Sequence, residues 1–166
     1  MIAGLTRRLA PEPAMKVAVY WPIRAEPNLR PWMATLHAAD AQVLLPVVIE
    51  KNQPLEFHSW SPDCRMARGV WDILVPADGV AVTPDVVIAP LVGADRAGFR
   101  LGNGGGYYDR ALALFEPRPQ IIGVGDAGCL IPTIYPMPWD IPINEILLSD
   151  GTWLKPSHMQ RSTHCG

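Results

Sequence analysis

The chain has 166 residues, of which 49% are hydrophobic and 18% are charged, and its formal net charge is −2. This composition excludes a disordered chain, and the charge gives no general electrostatic reason to bind nucleic acid or an anionic membrane. A chain of this length buries roughly 70% of its unfolded surface in a single core. We therefore expect one domain over residues 1–166, with segments 1–15 and 153–166 peripheral or frayed.

The sequence shows no sign of secretion or membrane insertion. The first residues lack the long apolar segment of a signal peptide, and no apolar run approaches the roughly 20 residues of a membrane span. The cysteines, Cys64, Cys129 and Cys165, have no C-x-x-C spacing and suggest reduced thiols. We expect a cytoplasmic protein, either a monomer or a weak homo-oligomer, without nucleic-acid or membrane partners.

The first half of the chain begins with a strand, a turn and a helix. Residues 16–22 are β-branched and aromatic and end at a proline, which predicts a buried strand. From Asn28, a candidate N-cap, the residues Leu29, Trp32 and Leu36 recur at helical spacing. Pro31 fits this helix because it falls in the first turn.

The middle of the chain has weaker patterns. Residues 42–49 predict a second buried strand with a bulge or an end at Pro46, and residues 54–60 alternate like a half-exposed strand. Residues 61–84 are rich in turn formers without clean periodicity. They predict a loop with one short edge strand.

The second half returns to a clear alternation of strand and helix. Residues 85–92 form an apolar run typical of a parallel strand covered on both faces. Residues 106–115 place Tyr108, Leu112 and Phe115 on one helical face. Residues 120–126 and 143–150 predict two more strands. The order predicts an α/β fold of three layers, a mainly parallel sheet flanked by helices.

A glycine loop separates the strand at 85–92 from the following helix. The stretch RLGNGGGYYDR (100–110) contains four glycines within five residues. Glycines let backbone N–H groups converge on an anion, and Arg100 and Arg110 could add charge-assisted hydrogen bonds. The loop therefore suits a phosphate, although a tight turn without a ligand remains the alternative. Its spacing matches neither the dinucleotide fingerprint nor the Walker motif.

Asp109 lies one residue after the inward-facing Tyr108, so its carboxylate can turn back towards an anion in the glycine loop. A carboxylate beside phosphates commonly binds Mg²⁺. The alternative is a first-turn aspartate that stabilises the helix dipole by about 0.3–1 kcal/mol. The residues alone leave both interpretations open.

RLGNGGGYYDR closely resembles the signature of the 5-formyltetrahydrofolate cyclo-ligases, and the similarity continues through supporting segments from about residue 16 to residue 150. These segments are VAVYWPIRAEPNLRP, VLLPVV, VVIAPLVGADRAGFRLG and WDIPIN. The resemblance implies a cyclo-ligase fold related to the NagB/RpiA/CoA-transferase type. It also implies an ATP- and Mg²⁺-dependent ligase that converts 5-formyltetrahydrofolate to 5,10-methenyltetrahydrofolate with release of ADP and phosphate.

The resemblance also implies roles for individual residues. Arg100 and Tyr107 would act in catalysis, and Asp109 and Asp140 would bind Mg²⁺. The implied ATP-binding residues are Arg100, Leu101, Gly102, Asn103, Gly104, Gly105, Gly106, Tyr107 and Tyr108. The implied folate-binding residues are Trp21, Glu26, Trp71, Asn103, Gly104, Gly105, Gly106 and Tyr107.

Several of these residues also have ordinary structural interpretations. Glu26 could be a turn carboxylate, Trp21 and Trp71 could be core residues, and Asp140 could cap a turn before Pro142. The helical spacing of Tyr108 also suits a core position.

The sequence departs from the family pattern at its start. Family members usually carry a basic N-terminal helix that helps to bind the nucleotide, whereas only Arg7 and Arg8 precede the first strand here. The alternative function is therefore a noncatalytic relative that binds folate or nucleotide at a weakened ATP site.

Overall fold

The computed structural model describes residues 1–101 and 106–156. The α-helices are α1 (Ile2–Arg8), α2 (Arg30–Ala38) and α3 (Tyr107–Leu114). The strands are β1 (Lys16–Ala18), β2 (Gln42–Val47), β3 (Glu56–Trp60), β4 (Met66–Arg68), β5 (Leu74–Pro76), β6 (Val86–Pro90), β7 (Gly93–Ala94), β8 (Arg100–Leu101), β9 (Gln120–Gly125), β10 (Glu145–Leu148) and β11 (Trp153–Leu154).

One seven-stranded sheet organises the described residues, with the order β11-β10-β9-β6-β1-β2-β3. Neighbouring strands from β10 to β2 run parallel, and the outer strands β11 and β3 are antiparallel to their neighbours. At the centre, Val17 lies opposite Val43 on one side and Val86 on the other. The predicted α/β fold with a mainly parallel sheet is confirmed.

The helices cover both faces of this sheet. Alternate strand residues point to opposite faces, so Val17 and Val19 join the core beneath α1 and α2, whereas Ala18 joins the core beneath α3. The residues predicted to face the core, the α2 N-cap Leu29 and the α2 residues Trp32 and Leu36, are buried. Their helical spacing therefore identified the correct face.

The predicted elements agree with the observed ones in type but not always in length. Strands predicted at 16–22, 42–49, 54–60, 85–92, 120–126 and 143–150 correspond to shorter strands, β1, β2, β3, β6, β9 and β10. Asn28 lies one residue before the α2 N-cap, and its Oδ1 accepts a hydrogen bond from Arg30 N at 3.2 Å. Pro46 lies within β2, one residue before the strand ends.

The segment 61–84 contains more structure than its sequence predicted. Instead of one edge strand it forms an antiparallel hairpin of β4 and β5. Each strand has only three residues, too few to show a period of two. Arg65 and Asp78 form a two-contact ion pair beyond the open end of the hairpin, with Nη2–Oδ1 at 2.9 Å.

Residues 1–15, expected to be peripheral or frayed, contain an ordered helix. Residues 2–8 form α1, Leu5 is fully buried, and Arg8 Nε donates to Glu145 Oε1 of β10 at 3.0 Å. Glu145 is buried and accepts further hydrogen bonds from the side chains of Gln120 and Trp153. The helix is therefore fixed by a carboxylate 137 residues away, which short-range patterns cannot reveal.

The end of the chain is only partly as expected. Trp153 and Leu154 form β11 and pair with β10, so they belong to the sheet rather than to a frayed tail. Residues 157–166 lie outside the described residues. Within the described ranges, no helix is both long enough and apolar enough to cross a membrane.

Candidate active site

The candidate site lies where the parallel strands β1, β6 and β9 end. Three connections meet there: the loop from β1 to α2, the β7–β8 hairpin that leads into α3, and the segment between β9 and β10. In open parallel sheets ligands bind beyond the carboxyl ends of the strands. The fold therefore brings the predicted residues of the first loop and of α3 to the same end of the sheet.

Arg100 is a buried cation in this region. Its side chain is 7% exposed, and its guanidinium carbon lies 4.9 Å from the centre of the Tyr108 ring. Nη2 is 3.6 Å from Asp109 Oδ2, a distance suited to an ion pair but too long for a good hydrogen bond. Nε and Nη2 have no hydrogen-bond partner among the described residues. A buried cation with unused donors fits an anionic ligand.

Asp109 connects α3 to the segment that contains Asp140. Its Oδ1 accepts a hydrogen bond from Ile141 N at 3.1 Å, while Oδ2 faces Arg100. Asp140, the residue before Ile141, uses Oδ2 to accept from Met137 N at 2.7 Å. The two predicted metal ligands thus lie on segments that are hydrogen-bonded to each other, and each carboxylate also performs a structural task.

Glu26 lies on the loop between β1 and α2. Tyr20, buried two residues after β1, donates from its hydroxyl to Pro27 O at 2.7 Å and so fixes this loop. Burial raises the pKa of Glu26 to about 7, against the opposing effects of the Ile23 amide and the Arg24 charge. Burial is also the main cause that raises the pKa of Tyr108, with a smaller contribution from Glu26. Tyr108 therefore interacts with both groups, with Glu26 through charge and with Arg100 through the contact between the guanidinium and its ring.

The contacts of Trp21 favour a structural role more than those of Glu26 do. Its ring is partly buried and packs against the core beneath α2. The guanidinium carbon of Arg30 lies 5.3 Å from the ring centre. This cation–π contact covers the ring on the α2 side. A contact between Trp21 and folate stays a prediction.

Trp71 and Tyr107 come together although 36 positions separate them in the sequence. Trp71 is 57% exposed at the tip of the β4–β5 hairpin, and its ring meets that of Tyr107 edge to face at 5.3 Å. The Tyr107 hydroxyl accepts a hydrogen bond from Asn52 N at 3.2 Å. Sequence reasoning missed Asn52, which lies in a loop without any distinctive pattern.

The backbone of Trp71 is unusual for a bulky residue, because its φ is 55°. Such left-handed geometry costs about 1–2 kcal/mol in a non-glycine residue. The strain and the exposure together argue against the ordinary core position that the sequence left open. An exposed ring held beside Tyr107 is available to a flat ligand.

Of the four glycines in the loop, Gly106 lies among the described residues. Gly102, Asn103, Gly104 and Gly105, predicted to bind ATP or folate, lie outside the described residues. Gly106 is the N-cap of α3 with φ 64°, and a Cβ there would meet nothing within 4 Å. Glycine is therefore favoured at 106 by the backbone conformation rather than by lack of space. Leu101, just before the loop, is 46% exposed.

Asp109 and Asp140 are the residues predicted to bind a metal ion. Among the described residues, no group of three or more His, Cys, Asp or Glu side chains could hold a metal ion. Asp109 and Asp140 offer only carboxylate oxygens. This set fits Mg²⁺, which is commonly bound by one or two carboxylates together with phosphate oxygens and water.

We predict that Glu26→Gln becomes more stable relative to the parent protein as the pH rises. The folded-state pKa of Glu26 is raised from 4.5 to about 7. The stability that the neutral acid contributes is complete below about pH 4.5 and is lost as the pH passes about 7. Because the side chain is half-buried and screened by solvent, we expect a change of about 1 kcal/mol between about pH 5 and about pH 8.

Urea unfolding at each pH measures this difference in the free energy of unfolding. Glu50→Gln, at an exposed position after β2, controls for the loss of one carboxylate. A difference between Glu26→Gln and the parent that does not change with pH would contradict the assigned environment of Glu26.

Comparison with known proteins identifies the family of the chain. A model of the 5-formyltetrahydrofolate cyclo-ligase family matches residues 5–149. The 5-formyltetrahydrofolate cyclo-ligase of Mycolicibacterium smegmatis is 31% identical over 140 residues, which cover 79% of this chain and 72% of the relative. The Escherichia coli K12 enzyme of the same name is 31% identical over 147 residues, covering 84% of this chain and 81% of the relative.

Solved structures show the same fold. The NMR structure of Aquifex aeolicus 5,10-methenyltetrahydrofolate synthetase superposes with a TM-score of 0.69 at 28% identity and covers 93% of this chain and 80% of that chain. The Mycoplasma pneumoniae 5,10-methenyltetrahydrofolate synthetase has a TM-score of 0.69 at 23% identity, covering 87% and 80%, and supports the fold alone. The chain belongs to the 5-formyltetrahydrofolate cyclo-ligase family.

Proposed function

We propose that this chain is an ATP-dependent ligase that cyclises 5-formyltetrahydrofolate to 5,10-methenyltetrahydrofolate. The observation that carries the proposal is Arg100, a buried guanidinium with unused N–H donors beside the glycine loop. Folding has already removed the guanidinium from water, so an arriving phosphate meets a preorganised positive charge. Family membership supplies the identity of the substrate.

The reaction needs a phosphoryl group because the formyl oxygen is a poor leaving group. In the proposed order of steps, this oxygen first attacks the γ-phosphorus of ATP, so that an O–P bond forms and the bond to ADP breaks. N10 of the folate then attacks the activated carbon and loses its proton. The C–O bond breaks and inorganic phosphate leaves. The protein therefore contributes mainly positioning and charge stabilisation.

We assign the ATP phosphates to Arg100 and the backbone of the glycine loop. Arg100 enters the site directly from β8, and α3 begins at the other end of the loop. The N-terminus of a helix adds a partial positive charge and free N–H groups on that side. The proposal extends to Gly102–Gly106 and to Leu101, Tyr107 and Tyr108, as the family resemblance implies.

We assign the folate to the space between the first loop and the Trp71–Tyr107 pair. The exposed Trp71 ring and the Tyr107 ring provide flat apolar surface for an aromatic ligand. Glu26 provides a carboxylate that can accept hydrogen bonds from the amino and ring N–H groups of the pterin. Burial, the main cause of the raised pKa of Glu26, supports this assignment, because hydrogen bonds to a partly desolvated group are stronger.

We assign Mg²⁺ to Asp140 and Asp109. Asp140 uses Oδ2 for Met137 N, which leaves Oδ1 for a cation. Asp109 Oδ2 faces Arg100, so this oxygen would be shared between the guanidinium and the metal. Bound Mg²⁺ would neutralise charge on the transferring phosphate. Asp109, in the first turn of α3, and Asp140 would hold the ion.

The activity is tested by mixing the purified chain with 5-formyltetrahydrofolate, ATP and Mg²⁺ and following the absorbance of the methenyl product. We expect product formation that requires all three components. The absence of product from folded protein would refute the enzymatic proposal. In that case, calorimetric binding of folate or ATP would identify a noncatalytic relative, and no binding of either would exclude both functions.

We predict that Asp140→Asn raises the Mg²⁺ concentration needed for half-maximal activity by about tenfold, because one anionic ligand is lost. Magnesium titration at saturating ATP and folate measures the change. Asp150→Asn is the matched control, since Asp150 is exposed in the β10–β11 turn and accepts a backbone hydrogen bond from Thr152. Equal magnesium requirements in the two variants would contradict the metal assignment.

A further inference from the structure

Asp95 is a buried carboxylate that the proposed chemistry has not used. Only 4% of the residue is exposed, and it follows β7 directly, at the carboxyl end of β6. Its Oδ1 accepts hydrogen bonds from Ala97 N at 3.0 Å and Phe99 N at 3.1 Å. Its Oδ2 accepts from Ile134 N at 3.3 Å. The carboxylate thus holds backbone from two separate parts of the chain.

The first two hydrogen bonds shape the turn that delivers Arg100. Asp95 N donates to Phe99 O, and Gly98 N donates to Asp95 O, which closes the hairpin between β7 and β8. Gly98 has φ 90°, a geometry that favours glycine. The next residue after Phe99 is Arg100. The direction of its side chain therefore depends on the turn around the Asp95 carboxylate.

The third hydrogen bond fastens the segment that leads to Asp140. Ile131 N also donates to Ala94 O, next to Asp95. At the other end of the segment, Ile143 N donates to Gly98 O in the same turn. The chain from 131 to 143 therefore leaves the β7–β8 hairpin and returns to it. Asp140 lies within this closed loop, so its position is fixed relative to the turn that carries Arg100.

We propose that Asp95 is a positioning residue that fixes Arg100 relative to Asp140, and hence the phosphate site relative to the metal site. The inference rests on the proposed function. A carboxylate is needed because both oxygens accept N–H donors at once, and its charge strengthens all three hydrogen bonds. An asparagine has one acceptor oxygen, and its NH₂ group would face a backbone N–H.

Asp95→Asn should raise the KM for ATP at least about tenfold, corresponding to the loss of one charge-assisted hydrogen bond. The KM for 5-formyltetrahydrofolate should change less than about twofold, since the folate assignment depends on other loops. The magnesium requirement should rise together with the KM for ATP. A general loss of fold would instead lower the active fraction and leave both KM values unchanged.

The matched control is Asp85→Asn. Asp85 also accepts a backbone N–H, from Lys16, but it is exposed and lies at the opposite, amino end of β6. If Asp95→Asn leaves the KM for ATP at the value of the control, the positioning inference is wrong while the enzymatic proposal stands. If the parent protein itself makes no product, the enzymatic proposal fails first.

Hydrogen exchange on the parent protein tests the same inference without a variant that must fold. ATP with Mg²⁺ should slow exchange at the amides of Phe99 and Ile134 together, because one carboxylate holds both. The exposed turn amide of Thr152 serves as the internal reference. If ATP with Mg²⁺ protects Phe99 and leaves Ile134 unchanged, the two loops are not coupled through Asp95 and the inference is overturned.

Discussion

The site depends on one buried positive charge. Arg100 is removed from water by the Tyr108 ring and by the hairpin that carries it, and its nearest described anionic partner, Asp109 Oδ2, is 3.6 Å away. A charge in this position is costly unless another group completes its hydrogen bonds. The surrounding loops hold this guanidinium in position to bind an anion. Stability and phosphate binding are therefore linked at the same residue.

The sheet makes this arrangement possible. Parallel strands place the connections of distant sequence segments at one end, and short hairpins and backbone hydrogen bonds then fix those connections to each other. Asp109 binds the backbone of Ile141, and Tyr20 binds that of Pro27. In each case a side chain near the end of a regular element orders a loop. The residues assigned to ATP, metal and folate are thus supported by the scaffold as well as by contacts with one another, such as those of Arg100 with Asp109 and of Trp71 with Tyr107.

The sequence was informative where the signal is local. The strand and helix patterns and the core face of α2 follow from spacing over a few residues. The residues assigned to the site near the glycine loop belong to the sequence signature of that loop. The role of α1 could not be predicted, because its anchor Glu145 lies on another strand. Asp95 had only a weak signal, an aspartate three residues before a glycine, which is typical of many turns. Its contact with Ile134 required the fold.

The central claim is that Arg100 is a preformed receptor for the phosphates of ATP. Calorimetric titration with ATP and Mg²⁺ tests it directly on the parent protein, on Arg100→Met and on Arg118→Met, which removes an exposed arginine from the loop before β9. The account predicts that the Kd for ATP rises at least about tenfold in Arg100→Met and stays within about twofold in Arg118→Met. Equal ATP affinity in the folded Arg100→Met protein and the parent would contradict it.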